Sequence, residues 1–353
     1  MERTYASTPS PRPSWQSLAD RVLDGQPLTE TQGRAILRSD DVELLDLMAA
    51  AYRVRYRHFG NQVQMNFLVN AKSGLCGEDC GYCSQSKVAT AEIARYNLLR
   101  VDEVLEGAQM AVDRGARTYC IVTAGRSPTR RELDWLLEVV PRVKKATQLK
   151  ICVSSGLLNA EQAEKLKSCG VDRINHNLNT SERYYPKICT THTYQDRMAT
   201  LHAARNAGLE LCCGGIVGMG EEDEDVVELA LRVGQLQAEA VPVNFLLPIE
   251  GTPVGHLRRL NPRYCLKVLA LFRLANPRCE LRIAAGREVQ LRSLQPLGLY
   301  AANSIFVGDY LTEKGQPPQQ DYQMIEDLGF EMVFEGKING DQQSAVGDRL
   351  FTS

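Results

Sequence analysis

The sequence lacks the features that mark membrane, secreted and nucleic-acid-binding proteins. No run approaches the roughly 20 consecutive apolar residues that a membrane-spanning helix needs. The formal net charge of −2 offers no basic field to a polyanion. Residues 1–15 are rich in proline and serine and lack the apolar centre of a signal peptide. We therefore expect a cytoplasmic protein that binds neither membranes nor nucleic acid, with a disordered lead over residues 1–15.

Cysteine, in contrast, is plentiful. The chain has eleven cysteines, and an odd number in a reducing compartment argues against a disulfide framework. Cys76, Cys80 and Cys83 lie within eight residues of one another, which indicates a metal site. Four dispersed cysteines on predicted helices or loops are expected to pack as ordinary side chains: Cys169, Cys189, Cys265 and Cys279.

Strand and helix patterns alternate along most of the chain. The predicted strands cover residues 63–70, 118–123, 149–154, 172–178, 209–217, 241–247, 280–285 and 303–307. Eight strands with helices between them predict a (β/α)8 TIM-type barrel. A doubly wound open sheet is the alternative, because alternation alone does not establish closure.

The same patterns suggest domain boundaries. Helical spacing over residues 16–62 predicts an N-terminal helical extension. The barrel is expected over residues 63–320, followed by a C-terminal helix and a mobile tail over residues 321–353.

The loop Cys76-Gly-Glu-Asp-Cys80-Gly-Tyr-Cys83 directly follows the first predicted strand. Thiolates are preferred ligands of zinc and of iron–sulfur clusters. A structural zinc site normally has four protein ligands, and no neighbouring His or Cys supplies the fourth. A four-iron cluster held by three thiolates leaves one iron open to the amino and carboxylate groups of S-adenosylmethionine (SAM). This spacing resembles the radical SAM superfamily, in which cleavage of SAM yields a 5′-deoxyadenosyl radical, and Tyr82 is a candidate to stack on the adenine.

Further cysteines and polar residues recur on later strands, where alternate side chains point into a barrel. On the fourth strand, Asn175, Asn177 and Asn179 share the inward face, and buried amides need hydrogen-bond partners. Asn244 and Ser304 occupy the sixth and eighth strands. From spacing alone, Cys120, Cys152 and Cys212 are more often small buried side chains, and Arg282 is a carboxylate-binding residue.

The chain resembles the biotin synthase family over residues 42–308. The resemblance is carried by residues 76–86, 175–181, 212–221, 285–288 and 302–306. It implies a 4Fe–4S cluster on Cys76, Cys80 and Cys83 and an auxiliary 2Fe–2S cluster on Cys120, Cys152, Cys212 and Arg282. It also implies SAM contacts from Asn177 and Asn179, and substrate contacts from Asn66, Asn177, Asn244 and Ser304.

The resemblance further implies an activity and partners. Sulfur from the auxiliary cluster would be inserted into dethiobiotin to give biotin, with flavodoxin or ferredoxin as electron donor and a homodimer as the assembly. Rival functions are another barrel radical SAM enzyme of maturase or lipoyl synthase type, or an iron–sulfur electron carrier. Lipoyl synthase carries a second tight cysteine trio, which this chain lacks.

Three positions depart from the family pattern. Asn179 stands where some members have aspartate, and Gly77 replaces a frequent proline. Cys213 follows Cys212 directly and should face outward by strand alternation. A bulge at this point would turn Cys213 inward, where it would be a further ligand of a larger auxiliary cluster.

Overall fold

The fold is given by a computed structural model, which describes residues 14–333. The α-helices in this range are α1 Trp15–Leu23, α2 Glu30–Leu37, α3 Leu44–Phe59, α4 Val101–Asp113, α5 Arg130–Ala146, α6 Ala160–Ser168, α7 Tyr194–Asn206, α8 Asp223–Gln235, α9 Pro262–Ala275, α10 Arg287–Leu291, α11 Gln295–Gly298 and α12 Pro318–Asp327. The strands are β1 Gln62–Lys72, β2 Thr118–Thr123, β3 Lys150–Ser154, β4 Arg173–Asn175, β5 Glu210–Cys212, β6 Gly215–Val217, β7 Ala240–Phe245, β8 Glu280–Ile283, β9 Ser304–Phe306 and β10 Glu331–Val333.

The strands close into a parallel barrel. Hydrogen bonding runs in the order β1-β2-β3-β4-β5-β7-β8-β9, and β9 returns to β1, with Gln64 opposite Ser304. The fifth barrel strand consists of two pieces, β5 and β6, both paired with β7. The predicted (β/α)8 barrel is therefore confirmed, and an open sheet is ruled out because β9 pairs with β1.

Two buried arginines, one from the helices before the barrel and one from α9, close the end where the barrel strands begin. Arg55 of α3 is fully buried and donates to the carbonyl oxygens of Gln62 and Ala302, at the starts of β1 and β9. Arg273 of α9 is also fully buried and donates to the carbonyl of Cys279, just before β8. Two guanidinium groups thus satisfy the backbone carbonyls that a barrel leaves unpaired at this end.

The largest departures from the predicted strand bounds are in the fourth and fifth barrel strands. β4 ends at Asn175 rather than at residue 178, because Asn177 leaves the ladder and accepts a hydrogen bond from the backbone N–H of Gly214 at 3.0 Å. The fifth strand is interrupted at Cys213 and Gly214. A Cβ on Gly214 would lie 1.9 Å from the carbonyl oxygen of Pro242, so only glycine allows this approach of two strands.

The chain continues past the barrel into α12 and β10. β10 pairs in parallel with the first residues of β1, with Gln62 opposite Glu331, a strand that the sequence pattern did not predict. Most of the predicted disordered lead (residues 1–13) and the end of the predicted tail (residues 334–353) lie outside the described residues. Among the helices of residues 14–333, none has the length and apolar character to cross a membrane.

Candidate active site inside the barrel

The three-cysteine loop covers the end of the barrel where the strands finish. Cys76, Cys80 and Cys83 line a cavity of about 380 Å³, and Cys120 of β2 lines the same cavity from inside the barrel. The loop is held by the segment before α7: the Gly81 N–H donates to the carbonyl of Ile188 at 2.8 Å. The motif is therefore presented to the interior by backbone hydrogen bonds.

Two carboxylates between the first and second cysteine strengthen this attachment. Asp79 accepts from the backbone N–H groups of Thr190 and Thr191, at 2.9 and 3.1 Å. Glu78 accepts from Nδ1 of His192 at 2.5 Å, which assigns the ring proton to that nitrogen because Nε2 accepts from Arg197 at 2.9 Å. Both acidic residues therefore fix the loop.

Cys189 was expected to be an ordinary packing residue, and its position corrects that expectation. Its sulfur lies 3.8 Å from that of Cys80 and 3.2 Å from Nδ1 of His192. The donor atoms of Cys80, Cys189 and His192 all lie within 4.8 Å of one another, and all three residues are buried. Strand and helix patterns could not reveal this, because Cys189 lies in an irregular segment more than a hundred residues from the motif.

Tyr82 and Asn179, the predicted cofactor contacts, meet at the cavity wall. The Asn179 side-chain amide donates to the Tyr82 hydroxyl at 2.6 Å, and both residues line the cavity. Asn179 adopts a left-handed φ of 70°, a conformation that asparagine tolerates better than most residues. Arg197 also lines this wall and donates to the carbonyl of Asn177 at 2.7 Å. The Arg197 guanidinium also places a positive charge near Cys80. The sequence analysis did not identify Arg197 as a residue of the site.

Asn177 and Asn244 both line the cavity and both bind the glycine backbone at the start of β6. The Asn177 side-chain oxygen accepts from the Gly214 N–H, which leaves its amide nitrogen as the group free to donate at the cavity. Asn244 accepts from the Ala285 N–H at 3.1 Å and donates to the Gly215 carbonyl at 3.0 Å. The structure therefore places both predicted contacts at the cavity, with part of each amide used to join neighbouring strands.

The second cysteine trio lies deeper in the barrel. Cys120 pairs with Cys152 across β2 and β3, and Cys212 on β5 lies next to Asn175, whose amide donates to the Cys212 sulfur at 3.3 Å. Together with Ala240 the three cysteines form a buried cluster separate from the main core. A hydrogen bond from Cys152 and the charges of Arg282 and Arg173 lower the pKa of the Cys212 thiol. A metal-ligating thiolate is thus favoured at Cys212.

Arg282 lies beneath this trio, at the same level as two residues that had been predicted as substrate contacts. Its Nη2 donates to Asn66 at 2.9 Å, its Nε donates to Ser304 at 3.2 Å, and its Nη1 lies 4.0 Å from the Cys212 sulfur. Asn66 and Ser304 are fully buried and do not line the cavity. The structure places their polar atoms against Arg282 rather than at the cavity.

An acidic residue that the sequence analysis missed completes this layer. Glu280 accepts from Arg282 at 2.5 Å and from Arg173 at 2.8 Å. Burial alone would raise the pKa of Glu280, but the charges of Arg282 and Arg173 outweigh burial and hold that pKa below its usual value. Strand alternation could have indicated Glu280 and Arg173, because residues two apart on a strand share a face. Glu280 lies two residues before Arg282, and Arg173 lies two residues before Asn175.

Cys213, named as a possible extra ligand, is placed away from the interior trio. The strand does break at this residue, yet the side chain packs in the main hydrophobic core between barrel and helices. Burial raises the pKa of the Cys213 thiol to about 12, which disfavours a thiolate. The break therefore gives no support to Cys213 as a cluster ligand.

Family models match both halves of the barrel. The radical SAM superfamily matches residues 72–233, and the Biotin and Thiamin Synthesis associated domain matches residues 242–331. A solved methylornithine synthase superposes with a TM-score of 0.79 at 23% identity, covering 90% of this chain and 97% of its own. An FeFe-hydrogenase maturase from Carboxydothermus hydrogenoformans superposes with a TM-score of 0.76 at 16% identity, covering 91% and 79%. At these identities the two structures establish the fold.

With its three-cysteine loop over a parallel barrel, the molecule is a radical SAM enzyme. A biotin synthase from Rhodopirellula baltica is 53% identical over 92% of this chain and 90% of its own length. One from Geobacillus thermodenitrificans is 53% identical over 91% and 97%. The chain belongs to the biotin synthase family.

Proposed function

We propose that this enzyme converts dethiobiotin to biotin by inserting sulfur between two unactivated carbon atoms. The observation that carries the proposal is one cavity lined both by the three-cysteine loop and by Cys120 of the interior trio. An electron carrier would have no use for such a cavity between two cysteine sites. Because C–H bonds of this kind resist acid–base chemistry, the cofactors carry the difficult step and the protein positions the reactants.

The donor sets fit the groups that the family implies. Cys76, Cys80 and Cys83 would hold a 4Fe–4S cluster, and Cys120, Cys152 and Cys212 with Arg282 would hold an auxiliary 2Fe–2S cluster. The fit of the second set is supported by its burial and by the direction of Arg282 Nη1 towards the Cys212 sulfur. When bound, the first cluster with SAM supplies a carbon radical and the second supplies sulfur.

The remaining residues bind and orient. Tyr82 and Asn179 would hold the adenosine part of SAM, and the Arg197 guanidinium beside Cys80 would neutralise its carboxylate. Asn177 and Asn244 offer amide groups to dethiobiotin between the two trios. A buried cavity wall also excludes water, which keeps the reactive carbon from side reactions.

The working partners follow from the same proposal. A one-electron donor such as flavodoxin or ferredoxin would reduce the first cluster, and the active assembly would be a homodimer. We place the reaction in the cytoplasm, where eleven unpaired cysteines remain reduced.

The test is anaerobic incubation of the reduced, reconstituted enzyme with SAM and dethiobiotin, read by mass spectrometry. We expect 5′-deoxyadenosine and biotin. Formation of 5′-deoxyadenosine with no biotin would indicate another radical SAM activity, and the absence of both products would contradict the proposal.

A further inference from the structure

Under the interior cysteines lies a continuous network of charged side chains, half-buried at the rim and buried next to the cysteines. From the barrel rim inward, Lys150 pairs with Glu210 at 2.8 Å and Glu210 with Arg173 at 2.8 Å. Arg173 then pairs with Glu280, and Glu280 with Arg282, next to the Cys212 sulfur. With all three cations protonated, and before iron binds, three cations and two carboxylates give the network one net positive charge. Buried ion pairs are costly to build, so this arrangement within the barrel calls for a functional reason.

The geometry determines which face of Arg282 is available. Its Nη2 donates to Glu280 and Asn66, and its Nε donates to Ser304. The Glu280 carboxylate oxygen that binds Arg282 also accepts from Ser304 at 2.8 Å. These bonds occupy the sides of the guanidinium away from the cysteines and direct Nη1 towards Cys212. Arg282 is thus held in one orientation by Glu280 and its neighbours.

Charge also bears on the loaded site. Three thiolates carry three negative charges and an oxidised two-iron, two-sulfide core carries two positive charges, which together give one net negative charge. A guanidinium that binds iron through Nη1 does so with that nitrogen deprotonated, so the fixed charges next to the site are those of Arg173 and Glu280. Charge and hydrogen bonding around a cluster set its reduction potential, and residues behind the ligands tune a metal site.

We propose that Glu280 and Arg173 are positioning residues of the auxiliary site: they fix the guanidinium of Arg282 beneath Cys212 and set the charge against which the auxiliary cluster is reduced. The inference rests on the proposed function, because it takes the interior cysteines to be cluster ligands.

The experiment measures the auxiliary cluster alone. In the full-length chain with alanine at Cys76, Cys80 and Cys83, bound iron belongs to the interior site, and an anaerobic redox titration followed by visible absorbance gives its potential. Glu280→Gln keeps the shape and an acceptor oxygen but removes a negative charge, so we expect a more positive potential. Arg173→Gln removes a positive charge, so we expect a more negative potential.

The double variant, Glu280→Gln with Arg173→Gln, restores the net charge and should return the potential close to that of the parent. Iron and sulfide content should stay at the parent level in all three. Glu132→Gln is the matched control, since Glu132 is a buried carboxylate paired with Lys72 at 2.6 Å outside the network, and it should leave the potential unchanged.

A purely structural role would make both single variants lose iron without opposite shifts, and that result would overturn the inference. Equal potentials in all variants, or a parent that binds no iron, would overturn it as well. The proposed function fails separately, when the unmodified enzyme makes no biotin. If biotin forms but the two potentials do not diverge, only the role of Glu280 and Arg173 is wrong.

Discussion

The two cysteine trios are assembled by different routes. Cys76, Cys80 and Cys83 come from one short loop, and their spacing along the chain is their whole signal. Cys120, Cys152 and Cys212 come from three strands and meet because the register of a closed barrel places them together. The first site is therefore defined by spacing along the chain, whereas the second depends on the register of the folded barrel.

Their surroundings differ as well. The loop trio is pinned by backbone hydrogen bonds and by carboxylates that contact neighbouring loops. The interior trio is held by the backbone ladder of the barrel strands, and its side-chain contacts come from Arg282 and Asn175. Disturbing the loop should therefore affect one cofactor, and disturbing the barrel interior the other.

The largest expected effect separates the two trios directly. Cys80→Ala should abolish 5′-deoxyadenosine formation, because a thiolate ligand of the radical-generating cluster is lost, while iron at the interior site remains. Product analysis by mass spectrometry with iron quantification measures both. Cys169→Ala, at a half-buried cysteine outside both trios, is the control and should retain full cleavage. Normal SAM cleavage in Cys80→Ala would refute the assignment of the loop.

A substitution in the interior trio tests the opposite half of the comparison. Cys152→Ala should remove the auxiliary cluster and all biotin formation yet leave measurable 5′-deoxyadenosine, since the loop trio is intact. Sulfide analysis with a single-turnover product assay tests this. Biotin made in the absence of the Cys152 thiol would show that the sulfur has another source.

A smaller effect is expected at Arg282, where three thiolates still retain the cluster. Arg282→Ala should lower biotin formation by roughly tenfold, the lower range for loss of a group that supports a metal site. Arg282→Lys keeps a positive charge but cannot form the bonds to Asn66, Glu280 and Ser304 together. It should therefore not restore activity in the single-turnover assay, and full activity would mean that charge alone suffices.

A substitution at Asn177 tests whether dethiobiotin or SAM binds between the two trios. Asn177→Asp keeps the acceptor for the Gly214 N–H but replaces the amide hydrogens that face the cavity. Loss of one such hydrogen bond costs about 1 kcal/mol, so KM for dethiobiotin or SAM should rise roughly fivefold. The iron content of both sites should stay constant, and a loss of iron would assign Asn177 to cluster support instead.

The smallest effect is expected at Cys213, which adjoins a proposed ligand in sequence but packs on the other side of the sheet. Cys213→Ala should leave iron content and biotin formation unchanged and lower the free energy of unfolding by about 1 kcal/mol, because a small buried group is removed. Chemical denaturation and iron analysis measure these two quantities. Loss of auxiliary iron would place Cys213 among the ligands.

These contrasts explain how far the sequence could predict the molecule. Barrel class and the loop trio follow from alternation and spacing, which are local patterns. The role of Asn66 and Ser304 could not be predicted, because it depends on Arg282 reaching both across the interior. Cys189 also escaped, since its contact with Cys80 depends on how an irregular segment folds back.

The closed starting end of the barrel has a kinetic consequence. Arg55 and Arg273 seal that end, and fully buried side chains fill the layer beneath the cysteines. A molecule that reaches Cys120 must then enter from the end of the barrel where the three-cysteine loop, on which SAM would be bound, lies. Substrate binding should accordingly precede SAM binding in a compulsory order, and biotin should leave only after methionine and 5′-deoxyadenosine have departed.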